Sequence, residues 1–225
     1  MYPYAYLVWC LIFGLVWVFL YWVRKDTRRE MLLMSLLCIP LGPVAAYFNV
    51  KDYWHPETFM HTAVGVEDVL IAFFIGGISA VLYEFLYAKP RERTERPGFW
   101  WLIVLPDLGG AVFMYVSTLF GIASITATFM LFILFAAIPI ILRPWLFRNS
   151  VLSGVAFMTF LFFFYKLFFW MYPGIVDVWW FGASGVRVLG VPVEEMAWAF
   201  LWGMVAGPGS ELVARLKLPK YIRTL

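Results

Sequence analysis

Pro192-Val193-Glu194-Glu195-Met196-Ala197-Trp198-Ala199-Phe200 repeats, 127 positions on, the pattern of Gly65-Val66-Glu67-Asp68-Val69-Leu70-Ile71-Ala72-Phe73. Each stretch sets two adjacent acids at the head of a long apolar run. The offset pairs Glu67 with Glu194, Asp68 with Glu195, Ala72 with Ala199 and Phe73 with Phe200, then continues through Gly76/Gly203 and Glu84/Glu211. Ahead of the acids, Lys51-Asp52-Tyr53-Trp54 in one loop resembles Asp177-Val178-Trp179-Trp180 in the other. Six coincidences without a gap describe a duplicated unit.

The rest of the chain says what kind of unit. Of 225 residues, 64% are hydrophobic, 21% aromatic and 14% charged, with a net charge of +3. Too little polar surface is present to coat a globule in water, which disfavours soluble, disordered and nucleic-acid-binding classes. A bilayer core about 30 Å thick needs roughly 20 apolar helical residues. Seven stretches qualify: Tyr4–Val23, Met31–Phe48, Val69–Tyr87, Phe99–Leu119, Ile122–Leu142, Val151–Trp170 and Val193–Val213. The first has no basic lead-in and no small-residue cleavage site, so it reads as a retained span.

Charge placement orients the spans. Arg24, Lys25, Arg28 and Arg29 follow the first, and Lys89, Arg91, Arg93 and Arg96 the third. Arg143 and Arg148 follow the fifth, while Arg215, Lys217, Lys220 and Arg223 lie in the tail. Only Lys51 and Arg187 fall on the opposite side, with Lys166 inside a span. The positive-inside rule puts the N-terminus outside and the tail in the cytoplasm. We therefore expect an all-α integral membrane protein of the cell membrane, seven transmembrane helices arranged as a parallel 3+1+3 internal repeat. Residues 1–98 form the first triplet, 99–121 a linking helix and 122–225 the second triplet. Such halves place their site between them.

Charge within a bilayer is costly and defaults to a functional hypothesis. Helix capping alone would contribute about 0.3–1 kcal/mol per acid, and one acid would suffice for it. Doublets in both halves argue for acid–base chemistry instead. Two neighbouring carboxyls in an apolar setting cannot both ionise cheaply. A protonated carboxyl in a dry pocket can act as an acid towards an alkene, and its ionised counterpart can take a proton back. Such a step is redox-neutral and calls for no cofactor. No dinucleotide or phosphate-binding motif is written in the sequence. Cys10 and Cys38 sit in apolar runs, and His55 and His61 make a weak metal signal, so no metal site is expected.

The Pro192-Val193-Glu194-Glu195 stretch, followed by Phe200, resembles the Pro-x-Glu-Glu/Asp motif of the membrane-integral lycopene cyclases. In that family duplicated three-span units occur as separate subunits or as one fused chain. The resemblance covers both halves, with one departure: Gly65 stands where the first half would carry proline. The first pair is thus either a second catalytic pair or a structural echo. What the family implies is protonation of a terminal double bond of a linear carotenoid, ring closure by the next double bond, and proton loss. Glu194 is then the expected proton donor and Glu195 its coupled partner. Glu67 and Asp68 become candidates for the returning base or an equivalent acid. Trp198, Phe200, Phe73 and Trp180 are the candidates for binding the polyene. Partners would be that substrate and membrane lipid. A related end-group hydratase, a non-catalytic carotenoid or lipid binder and a small-solute transporter are the alternatives. A retinal protein is disfavoured, because the last span has no lysine before Lys217.

Other polar residues carry lesser expectations. Glu84 and Glu211 lie seventeen residues beyond Glu67 and Glu194, about 25 Å along a helix, and suit ion pairs at the cytoplasmic edge. Asp107 suits a buried hydrogen bond or a catalytic role. Lys166 is expected to snorkel outward or pair with an acid. Asp52 and Asp177 are expected to orient their loops, and Trp54 and Trp179 to join an interfacial aromatic belt.

Overall fold

The computed structural model describes residues 2–87 and 101–214, with side chains except at 101–107, 142 and 208–214. Among these residues the chain forms α1 (Ala5–Val23), α2 (Arg28–Cys38), α3 (Leu41–Asn49), α4 (Val66–Tyr87), α5 (Trp101–Leu119) and α6 (Ser124–Leu142). Then come α7 (Leu146–Met171), α8 (Ile175–Trp179), a hairpin of β1 (Arg187–Val188) and β2 (Val191–Pro192), and α9 (Val193–Ala214). The basic clusters at 89–96 and 215–223, and the side chains of Asp107 and Glu211, lie outside the described residues.

Four helices, α1, α4, α6 and α7, are long and apolar enough to cross a membrane, and a fifth crossing is made if α2 and α3 count together. That pair covers the expected stretch Met31–Phe48 with two helices in place of one. Its two helices meet at 42°, with Pro40 at the break. A proline ring clashes with the preceding turn and removes a helix donor, so the axis bends there. Arg28 and Arg29 open α2 rather than lie in a loop. Arg28 reaches back to donate to the Tyr21 and Trp22 carbonyls at 2.6 and 3.3 Å, satisfying acceptors that the end of α1 leaves open.

Helix directions follow from contacts at both ends. Near their starts, α1 and α4 are joined by Tyr6 and Asp68. At their far ends Arg24 donates to the Glu84 carbonyl at 2.6 Å, so the two run parallel. In α7 the early Ser150 donates to the Met204 carbonyl at 2.7 Å, while the late Tyr165 meets Glu195. Thus α7 and α9 run antiparallel. The chief neighbour of α4 is α2, then α1; that of α9 is α7, then α6, and α4 touches α9 directly.

Close helix approach depends on Gly76 and Gly203, again 127 apart. A Cβ at 76 would lie 2.6 Å from Cys38 Sγ and 2.9 Å from the Met34 carbonyl of α2. One at 203 would lie 2.7 Å from the Ser153 carbonyl of α7. Backbone-to-backbone packing of this kind holds helices together where lipid removes the hydrophobic incentive.

Candidate active site

Glu195 is the third residue of α9 and is buried, at 8% exposure. Burying a carboxylate is costly unless donors replace water, and three converge on this one. The Tyr53 hydroxyl and the Trp180 indole N–H donate to Oε1 at 2.6 and 2.7 Å. The Tyr165 hydroxyl meets Oε2. A carboxylate offers about four lone-pair sites; three are filled here, and the open one is on Oε2.

Each donor is fixed from a different direction. Tyr165 lies in the last third of α7, and Trp180 closes the short α8. Tyr53 comes from the loop between α3 and α4, 142 residues from its acceptor. That loop is braced on both sides of Tyr53. The His55 N–H donates to the Trp179 carbonyl at 2.9 Å, and the Gly182 N–H to the Tyr53 carbonyl at 3.2 Å. Asp52 accepts from the Ser124 N–H at 2.8 Å and its hydroxyl at 2.5 Å, tying the same loop to the start of α6. Burial, then the nearby Glu195 charge, holds the Tyr53 phenol well above its usual range, so it remains a donor.

The first acid of each pair behaves alike. Glu67 Oε1 accepts from the Phe59 N–H at 2.6 Å and Glu194 Oε1 from the Ser184 N–H at 2.7 Å. Both turn back to latch the loop that leads into their helix, and in both Oε2 is buried without a hydrogen-bond partner. Glu67 is wholly buried, whereas Glu194 is half-buried. The second acids turn into the bundle. Asp68, 2% exposed, accepts from the Tyr6 hydroxyl and the Gly65 N–H, both at 2.7 Å.

Aromatic rings join the two buried carboxyls into one layer. Tyr6 packs edge-on against Trp54 at 5.2 Å and Trp179 at 6.1 Å. Trp54 lies 6.0 Å from Trp180, which meets the Tyr165 ring at 6.0 Å. Both acidic pairs therefore open at the same end of the bundle. This layer corrects the belt expectation for Trp179, which is 4% exposed. The loops fold inward over the helix ends, so its ring faces Tyr6 and Phe168 instead of lipid.

Of the expected substrate-binding residues, Trp180 touches a carboxyl. Trp198 stacks on Trp202 at 6.2 Å and 15°, with Phe132 of α6 at 5.9 Å, one turn beyond Glu195. Trp202 in turn donates to Ser79 Oγ of α4 at 3.0 Å. Phe200 lies over Gly154 of α7, and Phe73 lies against Trp17 at 5.2 Å. Lys166 donates to the Leu189 carbonyl of the hairpin at 2.8 Å, which accounts for it without an acid. Asp177 pairs with Arg187 at 2.5 Å, a loop-orienting role like that of Asp52. A cleft of about 420 Å³ opens beside Trp179, between Tyr2, His55, Glu57 and Phe181; Glu195 is not part of its lining.

Tyr6, Tyr53 and Tyr165 were not anticipated. The available signal was a lone hydroxyl among apolar rings: Tyr165 ends the run Phe162-Phe163-Phe164, and Tyr53 sits inside the repeated loop motif.

Residues 112–210 match the family model described as lycopene cyclase. This stretch runs from within α5 into α9 and includes Tyr165, Trp180, Glu194 and Glu195. No curated protein and no solved structure matches the chain.

Proposed function

We propose that the chain is a redox-neutral cyclase, an intramolecular lyase or isomerase that closes the ends of a linear carotenoid such as lycopene within the cell membrane. The observation that carries this is Glu195: a carboxyl inside the family match, buried, with three donors and one open lone-pair site. We further propose seven spans in a parallel 3+1+3 repeat. That proposal draws on α5 and α9, helices of 19 and 22 residues, and on the matched partner order around α4 and α9. Arg24 and Arg28 lie at the end of α1 away from the acids, which supports an acid-bearing outer face.

In the proposed reaction the Glu194–Glu195 pair supplies the proton. The geometry favours Glu195 over Glu194 as the group that transfers it, because Glu194 is engaged with the Ser184 N–H and is the more exposed. A proton on the open site of Oε2 passes to the terminal double bond. The adjacent double bond attacks the resulting cation, one C–C bond closes a six-membered ring, and a tertiary cation remains. The Tyr53, Tyr165 and Trp180 donors stabilise the carboxylate left behind, an electrostatic role of the kind that dominates many active sites. Ring faces of Trp180 and Trp198 can shield the cation, an attraction of up to about 2 kcal/mol when desolvated. Loss of a ring proton to carboxylate restores the acid and yields a cyclic end, so atoms and charge balance without a cofactor.

Expression in cells that accumulate lycopene tests this directly. The parent chain should convert the pigment to cyclic isomers of equal mass, and Glu195→Gln should abolish conversion while leaving the protein folded in the membrane. Unaltered pigment from well-expressed parent chain, across several acyclic carotenoids, would overturn the proposal.

A further inference from the structure

We infer that Pro192 is a positioning residue for Glu195, acting through the backbone N–H it lacks, and that this difference from Gly65 sets the two acidic pairs to separate tasks. The inference rests on the proton role proposed for Glu195.

Asp68 and Glu195 are the third residues of α4 and α9, and Gly65 and Pro192 are the residues just before those helices. A carboxyl at the third helical position naturally folds back onto the N–H of the residue before the helix, as in a capping box. In the first half it does so: the Gly65 N–H donates to Asp68 Oδ2 at 2.7 Å. Half of that carboxyl is spent on the helix start. In the second half the same bond cannot form, because proline has no N–H. Glu195 instead extends past the helix start, and both of its oxygens are engaged by Tyr53, Trp180 and Tyr165.

The hairpin tolerates the proline. Pro192 pairs with Arg187, and the flanking bond runs from the Val193 N–H to the Val186 carbonyl at 3.1 Å. Pro192 therefore occupies a non-hydrogen-bonded position, where a missing donor costs the ladder nothing. The first half has less room for the same residue, and Glu67 and Thr58 would have to shift to admit it. A Cβ at position 65 would lie 2.5 Å from Glu67 Oε2 and 2.8 Å from Thr58 Cγ2. The Thr58–Thr62 turn is drawn over Gly65 by bonds of 2.7 and 2.9 Å, which fixes that crowding. One unit thus became a latched helix start and the other a site with its carboxyl released.

The test compares Pro192→Ala and Pro192→Gly, which restore the N–H, with Pro192→lactic acid, a backbone ester that has the alanine side chain and no N–H. Each is made as the full chain in detergent or lipid. The Trp180 indole hydrogen bond is followed by ultraviolet resonance Raman, assigned by difference from Trp180→Phe, and turnover of lycopene is measured in parallel. The alanine and glycine variants should show a weakened Trp180 bond and a turnover number lower by about tenfold or more, equivalent to roughly 1.4 kcal/mol, with KM little changed. The ester should return both readouts towards the parent. An alanine variant that leaves the Trp180 bond and turnover unmoved would overturn the inference. So would an ester as impaired, or as unable to fold, as alanine, since ring rigidity would then be the cause. If the parent itself turns over no carotenoid, the cyclase proposal fails while the Raman comparison still decides the role of Pro192.

Discussion

Tyr53→Phe removes one hydroxyl and leaves nearly everything else in place. The backbone of Tyr53 is pinned by the His55–Trp179 and Gly182–Tyr53 bonds, and Asp52 is anchored on Ser124, so the loop has no reason to move. What disappears is the 2.6 Å bond to Glu195 Oε1. A hydrogen bond to a charged group contributes about 1.5–3 kcal/mol. If it is made chiefly when the carboxylate is exposed by proton transfer, the turnover number should fall by about 10- to 150-fold. On the proposed reaction KM should change little, because the Tyr53 hydroxyl is bonded to Glu195. The assay is single-substrate conversion of lycopene in membranes, with products separated and identified by absorption and mass. Tyr165→Phe should give a loss of similar size, and the double variant less than the product of the two, because both act on one carboxyl. Turnover of folded Tyr53→Phe within twofold of the parent would refute a site shared between the two halves.

Other consequences are more local. Asp52→Ala removes both acceptors at the start of α6 and should cost about 0.5–2 kcal/mol of stability, read by thermal unfolding in detergent, with turnover falling as Tyr53 loosens. Gly203→Leu places a branched chain where even a Cβ would be 2.7 Å from the Ser153 carbonyl, so α7 and α9 must part; a loss of about 1–3 kcal/mol or more is expected. The buried Tyr53 phenol keeps its proton where the unfolded chain releases one, above about pH 10. The stability it gives is complete below that pH and is lost as pH rises beyond it. Tyr53→Phe should therefore lessen the alkaline decline in unfolding temperature.

Much of the fold was legible because apolar runs and their breaks are local. The predicted stretch Tyr4–Val23 becomes Ala5–Val23, and Val193–Val213 becomes Val193–Ala214. The bend at Pro40 was missed although the residue was in view, since a proline within an apolar run kinks a span as readily as it ends one. The short α8 and the hairpin before α9 were missed because neither carries enough periodic residues to register. Of the candidate site, the acids were legible as charge in an apolar setting, and Trp180 as an aromatic that the structure sets beside Glu195. The tyrosines were not, because their meaning depends on an acceptor supplied from far along the chain. Trp179 misled for the opposite reason: an aromatic near a span end has the same local signature whether its loop folds outward or in.

The brace between the two outer loops also bears on how the protein is made. On the proposed orientation, the loop holding Tyr53 is exported well before α9 enters the bilayer. During the interval that phenol waits without its acceptor. When Glu195 arrives, the residues that carry its three donors, Tyr53, Tyr165 and Trp180, have all been synthesised before it, so the groups that replace water around this carboxyl precede it along the chain.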